Sequence, residues 1–191
     1  MADKHGVAGS MYPPGFSRTT SPPEARFDIS GLPPLLRTIL VADGTVTKLL
    51  EAYFWEPVDV RVVAQGIVRL DPFDLGGEPE DVIRRDVILA SDARGRPFAT
   101  ASSIIVLGQL DQRLRDGLLN EAMGIGALLR DGRLETYREQ ISVFSRPAGD
   151  SAAALHVGAD ATVVERTYRI HRNRSPFIQV TEVFPVDMYF V

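Results

Sequence analysis

Phe177-Ile178-Gln179-Val180-Thr181-Glu182-Val183-Phe184 runs without a break between Pro176 and Pro185. β-Branched and aromatic residues dominate it, so it reads as a strand. Successive strand side chains point to opposite faces, which puts Ile178, Val180, Glu182 and Phe184 on one side and Phe177, Gln179, Thr181 and Val183 on the other. Glu182 therefore falls on the more apolar side. A carboxylate there is costly unless a cation, a hydrogen-bond donor or a ligand compensates it. Two readings fit: a site acid, and a strand-end glutamate paired with a structural arginine.

Working outward, residues 162–170 form the other arm of a hairpin that turns at Arg172-Asn173-Arg174-Ser175. Upstream, Val58, Val60, Val62, Ile67, Val68 and Leu70 mark a long strand that bends near Gly66. Residues 72–80, with Gly76-Gly77 and two prolines, form a loop, and further strands follow over 81–90, 98–107 and 134–144. Within 81–90, Arg85 alternates in step with Val87 and Leu89 whereas Arg84 goes with Asp86, so Arg85 is the arginine that faces inward. It needs a planar, two-oxygen partner, and a substrate carboxylate fits that fork as well as a protein Asp or Glu does.

The helical signals lie before and between these strands. Leu32-Pro33-Pro34 opens a short helix bearing Leu35, Leu36, Ile39 and Leu40. A turn over residues 42–47 with a capping residue leads into a second helix with Val46, Leu49, Leu50, Tyr53 and Phe54 on one face. The backbone N–H groups around Val46 and Thr47 are a seat for an anion, or simply those of an ordinary capped helix. Residues 111–130 read as helical, but Met123-Gly124-Ile125-Gly126 interrupts the pattern, by a close backbone approach or by a bend.

With 191 residues and 45% hydrophobic content, the chain is long enough to bury one proper core. Residues 1–30, rich in Gly, Pro, Ser and Thr, read as a disordered leader, and 31–191 as one domain. No DNA-binding domain is expected within so short and proline-rich a leader. A net charge of −4 with scattered arginines argues against nucleic-acid binding. With no cysteine and His5, His156 and His171 far apart, neither a disulfide nor a metal site is expected. No apolar run approaches the roughly 20 residues of a membrane span and no signal pattern opens the chain, so the expected location is the cytoplasm. The pattern predicts an α+β domain: about six strands in an antiparallel sheet, helices on one face, and a pocket between them collecting Arg85, Glu182, the helix start at Val46 and the turn at Ile125.

In their order and spacing, Asp43-Gly44-Thr45-Val46-Thr47, Arg85-Asp86-Val87-Ile88-Leu89, Ile125-Gly126 followed by Leu134-Glu135-Thr136-Tyr137-Arg138-Glu139, Tyr168-Arg169-Ile170 and Val180-Thr181-Glu182-Val183-Phe184 resemble the chorismate pyruvate-lyase (4-hydroxybenzoate synthase) family. The resemblance covers nearly everything after residue 32. It implies a six-stranded antiparallel sheet with helices packed on it, and conversion of chorismate to 4-hydroxybenzoate and pyruvate with no metal or organic cofactor. It also implies roles: Arg85 grips the aromatic carboxylate, Glu182 serves the hydroxyl or ether end in proton transfer or positioning, and backbone groups at Val46 and Ile125 line the pocket. The implied partner is a small carboxylate, chorismate, bound by a monomer or homodimer without nucleic acid or membrane. One departure is local: the family's Pro-Leu-Gly turn is Gly124-Ile125-Gly126 here.

Overall fold

The computed structural model describes residues 28–190 apart from 75–76 and 121–123. Elements run in the order α1 (Pro34–Val41), α2 (Val46–Phe54), β1 (Val58–Leu70), β2 (Glu80–Ser91), β3 (Pro97–Val106), α3 (Gln112–Asn120), α4 (Ile125–Asp131), β4 (Tyr137–Pro147), the short α5 (Ala152–Leu155), β5 (Thr162–Arg172) and β6 (Ser175–Pro185). The six strands form one sheet in the order β1-β2-β3-β6-β5-β4, and every neighbouring pair is antiparallel. Two runs of hairpins, β1-β2-β3 and β4-β5-β6, meet where β6 pairs with β3. The α3–α4 segment carries the chain from one run to the other.

Rungs across the sheet explain how the helices divide over one face. Ile83, Ile105, Ile178 and Ile170 stand in register on β2, β3, β6 and β5, and they pack with Leu114 and Leu118 of α3 and Leu128 and Leu129 of α4. Six residues along the strands, Leu89, Ala99, Phe184 and Val164 form part of a second core under α1 and α2, with Leu36, Ile39, Leu40 and Leu50. Two apolar cores thus share one sheet face. Between them lie two rungs of another composition: Arg85, Ser103, Val180 and Tyr168, then Val87, Ala101, Glu182 and Arg166. The opposite face is covered locally, where α5 packs on Val163 and Val183.

Several sequence expectations shift against this frame. Of the expected leader, residues 1–27 lie outside the described residues, but Asp28 caps a 3-10 turn over Ile29–Gly31 and Ile29 is buried, so ordered chain begins before Leu32. Thr45 occupies the cap position of α2 without a side-chain capping bond. The strand irregularity falls between Val62 and Ala64, while Gly66 pairs regularly with Arg84; β1 is an edge strand, and Val63, 64% exposed, leaves the ladder without entering a core. The fourth strand starts at Tyr137 and not at Leu134, because the Leu134 N–H still donates to the Leu129 carbonyl at the end of α4. In the loop after β1, Pro72–Asp74 forms a 3-10 turn. Gly76, Met123 and Val191 lie outside the described residues.

Candidate active site

A partly open cavity sits in the gap between the two helical packs and above the two polar rungs. It exists because β3, in the middle of the sheet, presents Ala99, Ala101 and Ser103 where its neighbours present Leu89, Val87 and Arg85 or Phe184, Glu182 and Val180. Small side chains on the central strand leave the floor low, and the larger ones on either side make walls. The roof comes from the two helix starts, residues 44–47 before and within α2 and Ile125-Gly126 of α4. These starts meet closely: a Cβ at Gly126 would lie 2.4 Å from the Thr45 methyl carbon and 2.6 Å from its hydroxyl. The structure shows the close approach, and the helical stretch is two separate helices, α3 and α4.

The residues singled out in the sequence, Val46, Arg85, Ile125 and Glu182, all line this cavity. Arg85 is 2% exposed, its neighbour Arg84 is on the solvent side, and Ser103 Oγ donates to the Arg85 carbonyl at 3.2 Å. Burial lowers the Arg85 pKa from its ordinary 12.5, since a guanidinium loses hydration there. Arginine nevertheless remains a cation at neutral pH, so the wall carries a fixed positive charge. By register, Glu182 lies two strands and one same-face step from Arg85, about 10 Å across the sheet and about 7 Å along it. Val46 and Thr47 open α2, and first-turn N–H groups have no acceptor within their own helix.

Glu182, 4% exposed, has a partner that the sequence reading did not name. Arg166, also 4% exposed, donates from Nε at 3.1 Å and Nη2 at 2.6 Å to Glu182 Oε2, and from Nη1 at 2.6 Å to the Ile39 carbonyl of α1. Its guanidinium lies 5.0 Å from the centre of the Tyr168 ring. Tyr168 OH donates to the other oxygen, Oε1, at 3.2 Å. Burial first, and then the charge of Glu182, push the Tyr168 pKa far above its ordinary value, with Arg166 and Arg138 acting in the opposite sense. Tyr168 is therefore a neutral donor. Arg138 of β4 completes the wall, its Nη1 donating to the Asp43 carbonyl in the α1–α2 turn. The signal for Arg166 and Tyr168 was present: they alternate with Val164 and Ile170 on β5 just as Arg85 alternates on β2.

The arrangement sets a buried cation at one end, a hydrogen-bonded carboxylate with a phenol at the other, and apolar side chains between. A family model described as Chorismate pyruvate-lyase Rv2949c-like matches residues 40–190. The chain belongs to that family. Its relatives include a protein from Mycobacterium leprae named chorismate pyruvate-lyase, 27% identical over 171 residues, covering 84% of this chain and 78% of the relative. A Mycobacterium tuberculosis protein of the same name is 28% identical over 159 residues, covering 78% of each chain. Among solved structures, the effector domain of PhnF from Mycobacterium smegmatis superposes with a TM-score of 0.63 at 15% identity, over 77% of this chain and 91% of that one. A putative transcriptional regulator from Streptomyces coelicolor does so with 0.54 at 20%, over 66% and 85%. At such identities these likenesses show the fold alone. No helix of the described residues is long and apolar enough to cross a membrane.

Proposed function

We propose that the protein is a chorismate lyase, eliminating pyruvate from chorismate to give 4-hydroxybenzoate in the cytoplasm. The observation that carries this reading is the placement of Arg85 and Glu182 in one cavity, on strands two apart, with a low floor of Ala101 and Ser103 between them. Arg85 grips the ring carboxylate as a two-pronged donor. Glu182, held by Arg166 and Tyr168, meets the hydroxyl or ether end. The backbone at Val46 and Ile125 closes over the ring.

The chemistry asks for positioning more than for a nucleophile. A ring C–H proton is lost while the bond from the ring to the enolpyruvyl oxygen breaks; the ring becomes aromatic, and the departing enol takes a proton on its methylene carbon to become pyruvate. Neither an oxidant nor a reductant enters the balance, and the gain of aromaticity supplies much of the driving force. What the protein adds is a fixed pose and compensation of the substrate's charge in a site of low polarity. A second reading, a non-catalytic binder of a small aromatic acid, draws on the protein donors that already meet both Glu182 oxygens. A same-fold enzyme acting on another carboxylic or polyketide-like substrate is the third, and the Gly124-Ile125-Gly126 turn is its motive.

Incubating the purified protein with chorismate tests this directly: formation of 4-hydroxybenzoate and pyruvate in equal amounts is expected. Binding of 4-hydroxybenzoate without turnover would favour the binder, and neither would overturn both. Arg85→Ala should weaken 4-hydroxybenzoate binding by about 2–5 kcal/mol, with no rescue by Lys, while Arg84→Ala binds normally. Wild-type affinity in Arg85→Ala would remove the assignment.

A further inference from the structure

The cavity has a second basic wall, and we propose that Arg138 holds the second carboxylate of a dicarboxylate substrate, the one carried on the enolpyruvyl side chain. This deepens the chorismate reading of the same site and rests on it. Arg138 stands on β4 and Arg85 on β2, at opposite sides of the cavity, four strand spacings or about 19 Å apart at the backbone. Two long side chains reach inward from those sides, with Tyr168 and Glu182 on the strands between them.

Three observations point to an anion at Arg138. Among the described residues no aspartate or glutamate forms an ion pair with it, because Glu182, on the same sheet face, is engaged by Arg166. Two neutral groups answer its guanidinium, the Asp43 carbonyl and the Tyr168 ring with its centre 6.0 Å away. Its Nε is buried, with no hydrogen-bond partner among the described residues. A buried donor on a side chain that does not lose its proton costs free energy, and a carboxylate oxygen entering the cavity would remove that cost. Position decides which carboxylate it takes. Arg85 is almost fully enclosed while Arg138 is part-exposed beside the α1–α2 turn, so the fragment held by Arg138 is the one nearest solvent and the one that departs.

The test compares a ligand with two carboxylates and a ligand with one. Arg138→Gln should raise the KM for chorismate about tenfold or more, the order expected for losing a charge-assisted hydrogen bond, and leave the calorimetric Kd for 4-hydroxybenzoate within about twofold. Arg138→Lys should recover part of the chorismate KM, and Arg85→Ala should weaken both ligands. An unchanged chorismate KM in Arg138→Gln overturns the inference. So does equal weakening of both ligands, which would make Arg138 a mere tether for the Asp43 turn. If the wild-type protein does not turn chorismate over, the lyase reading fails by itself, and the calorimetric ratio of chorismate to 4-hydroxybenzoate affinity, wild type against Arg138→Gln, still decides the role of Arg138.

Discussion

At the scale of single residues, Arg166 and Glu182 form a buried charge pair beside the cavity. Both side chains are almost fully enclosed, and removing one partner leaves the charge of the other uncompensated. Arg166→Ala should therefore lower stability by about 3–5 kcal/mol in urea titrations, whereas Arg166→Met combined with Glu182→Leu should return to within about 1 kcal/mol of wild type, since well-packed apolar pairs replace buried ion pairs at little cost. The arrangement also bears on the role of the acid. Oε2 is met by Arg166 and Oε1 by Tyr168, and on the lyase proposal Glu182 is then a fixed acceptor that positions the substrate. Glu182→Gln should then retain most of kcat, well short of the roughly 10²–10⁴-fold loss seen when a proton-transfer group is removed, and Glu182→Ala should chiefly raise KM. A loss of that size in Gln would mark Glu182 as a proton carrier. Alternation alone made Glu182 and Arg85 legible in the sequence. Arg166 escaped because Glu165-Arg166-Thr167-Tyr168-Arg169 offers charges in both registers, and Val164 and Ile170 had to be counted to see which arginine turns inward.

At the scale of elements, the close pass of α4 over the start of α2 is the contact most sensitive to a small change. Gly126→Ala sets two opposing terms against each other: alanine favours a helix over glycine by about 1 kcal/mol, and the new methyl overlaps the short, branched Thr45 side chain, where overpacking costs about 1–3 kcal/mol. The single variant should melt lower than wild type. Gly126→Ala with Thr45→Ala should melt at or above it, because the overlap is gone and Thr45 makes no side-chain cap that its loss would remove. Sequence periodicity located nearly every element, since each helix and strand buries a face that must repeat at 3.6 or 2 residues. It could not show that β6 returns to pair with β3, a contact between residues about 80 positions apart governed by the whole sheet. Nor did it show the low floor: Ala99, Ala101 and Ser103 are unremarkable in a strand until the bulk of the neighbouring rungs is known.

At the scale of the whole molecule, the two cores and the gap between them make an alkaline limit. Tyr189 is buried and Tyr168 half-buried, and loss of hydration followed by the charge of Glu182 pushes both pKa values far above the ordinary 10.0. Because the folded values lie above the unfolded ones, this contribution to stability is complete below about pH 10 and is lost as pH climbs toward the folded values. In an ultraviolet titration of the five tyrosines, these two should ionise only as the chain unfolds, and Tyr168→Phe and Tyr189→Phe should each shrink that late step and flatten the fall of stability above pH 10. A late step that both variants leave unchanged would contradict this placement. The separation of the cores has a consequence for descent as well. Each core closes on its own helices, and the strip between them holds the polar rungs, so a lineage that exchanges Arg166 and Glu182 together, or swaps Arg85 for another side chain, alters what the cavity accepts while leaving both cores their packing partners. Substitutions in that strip can therefore change the lining of the cavity without disturbing the packing of either core that flanks it.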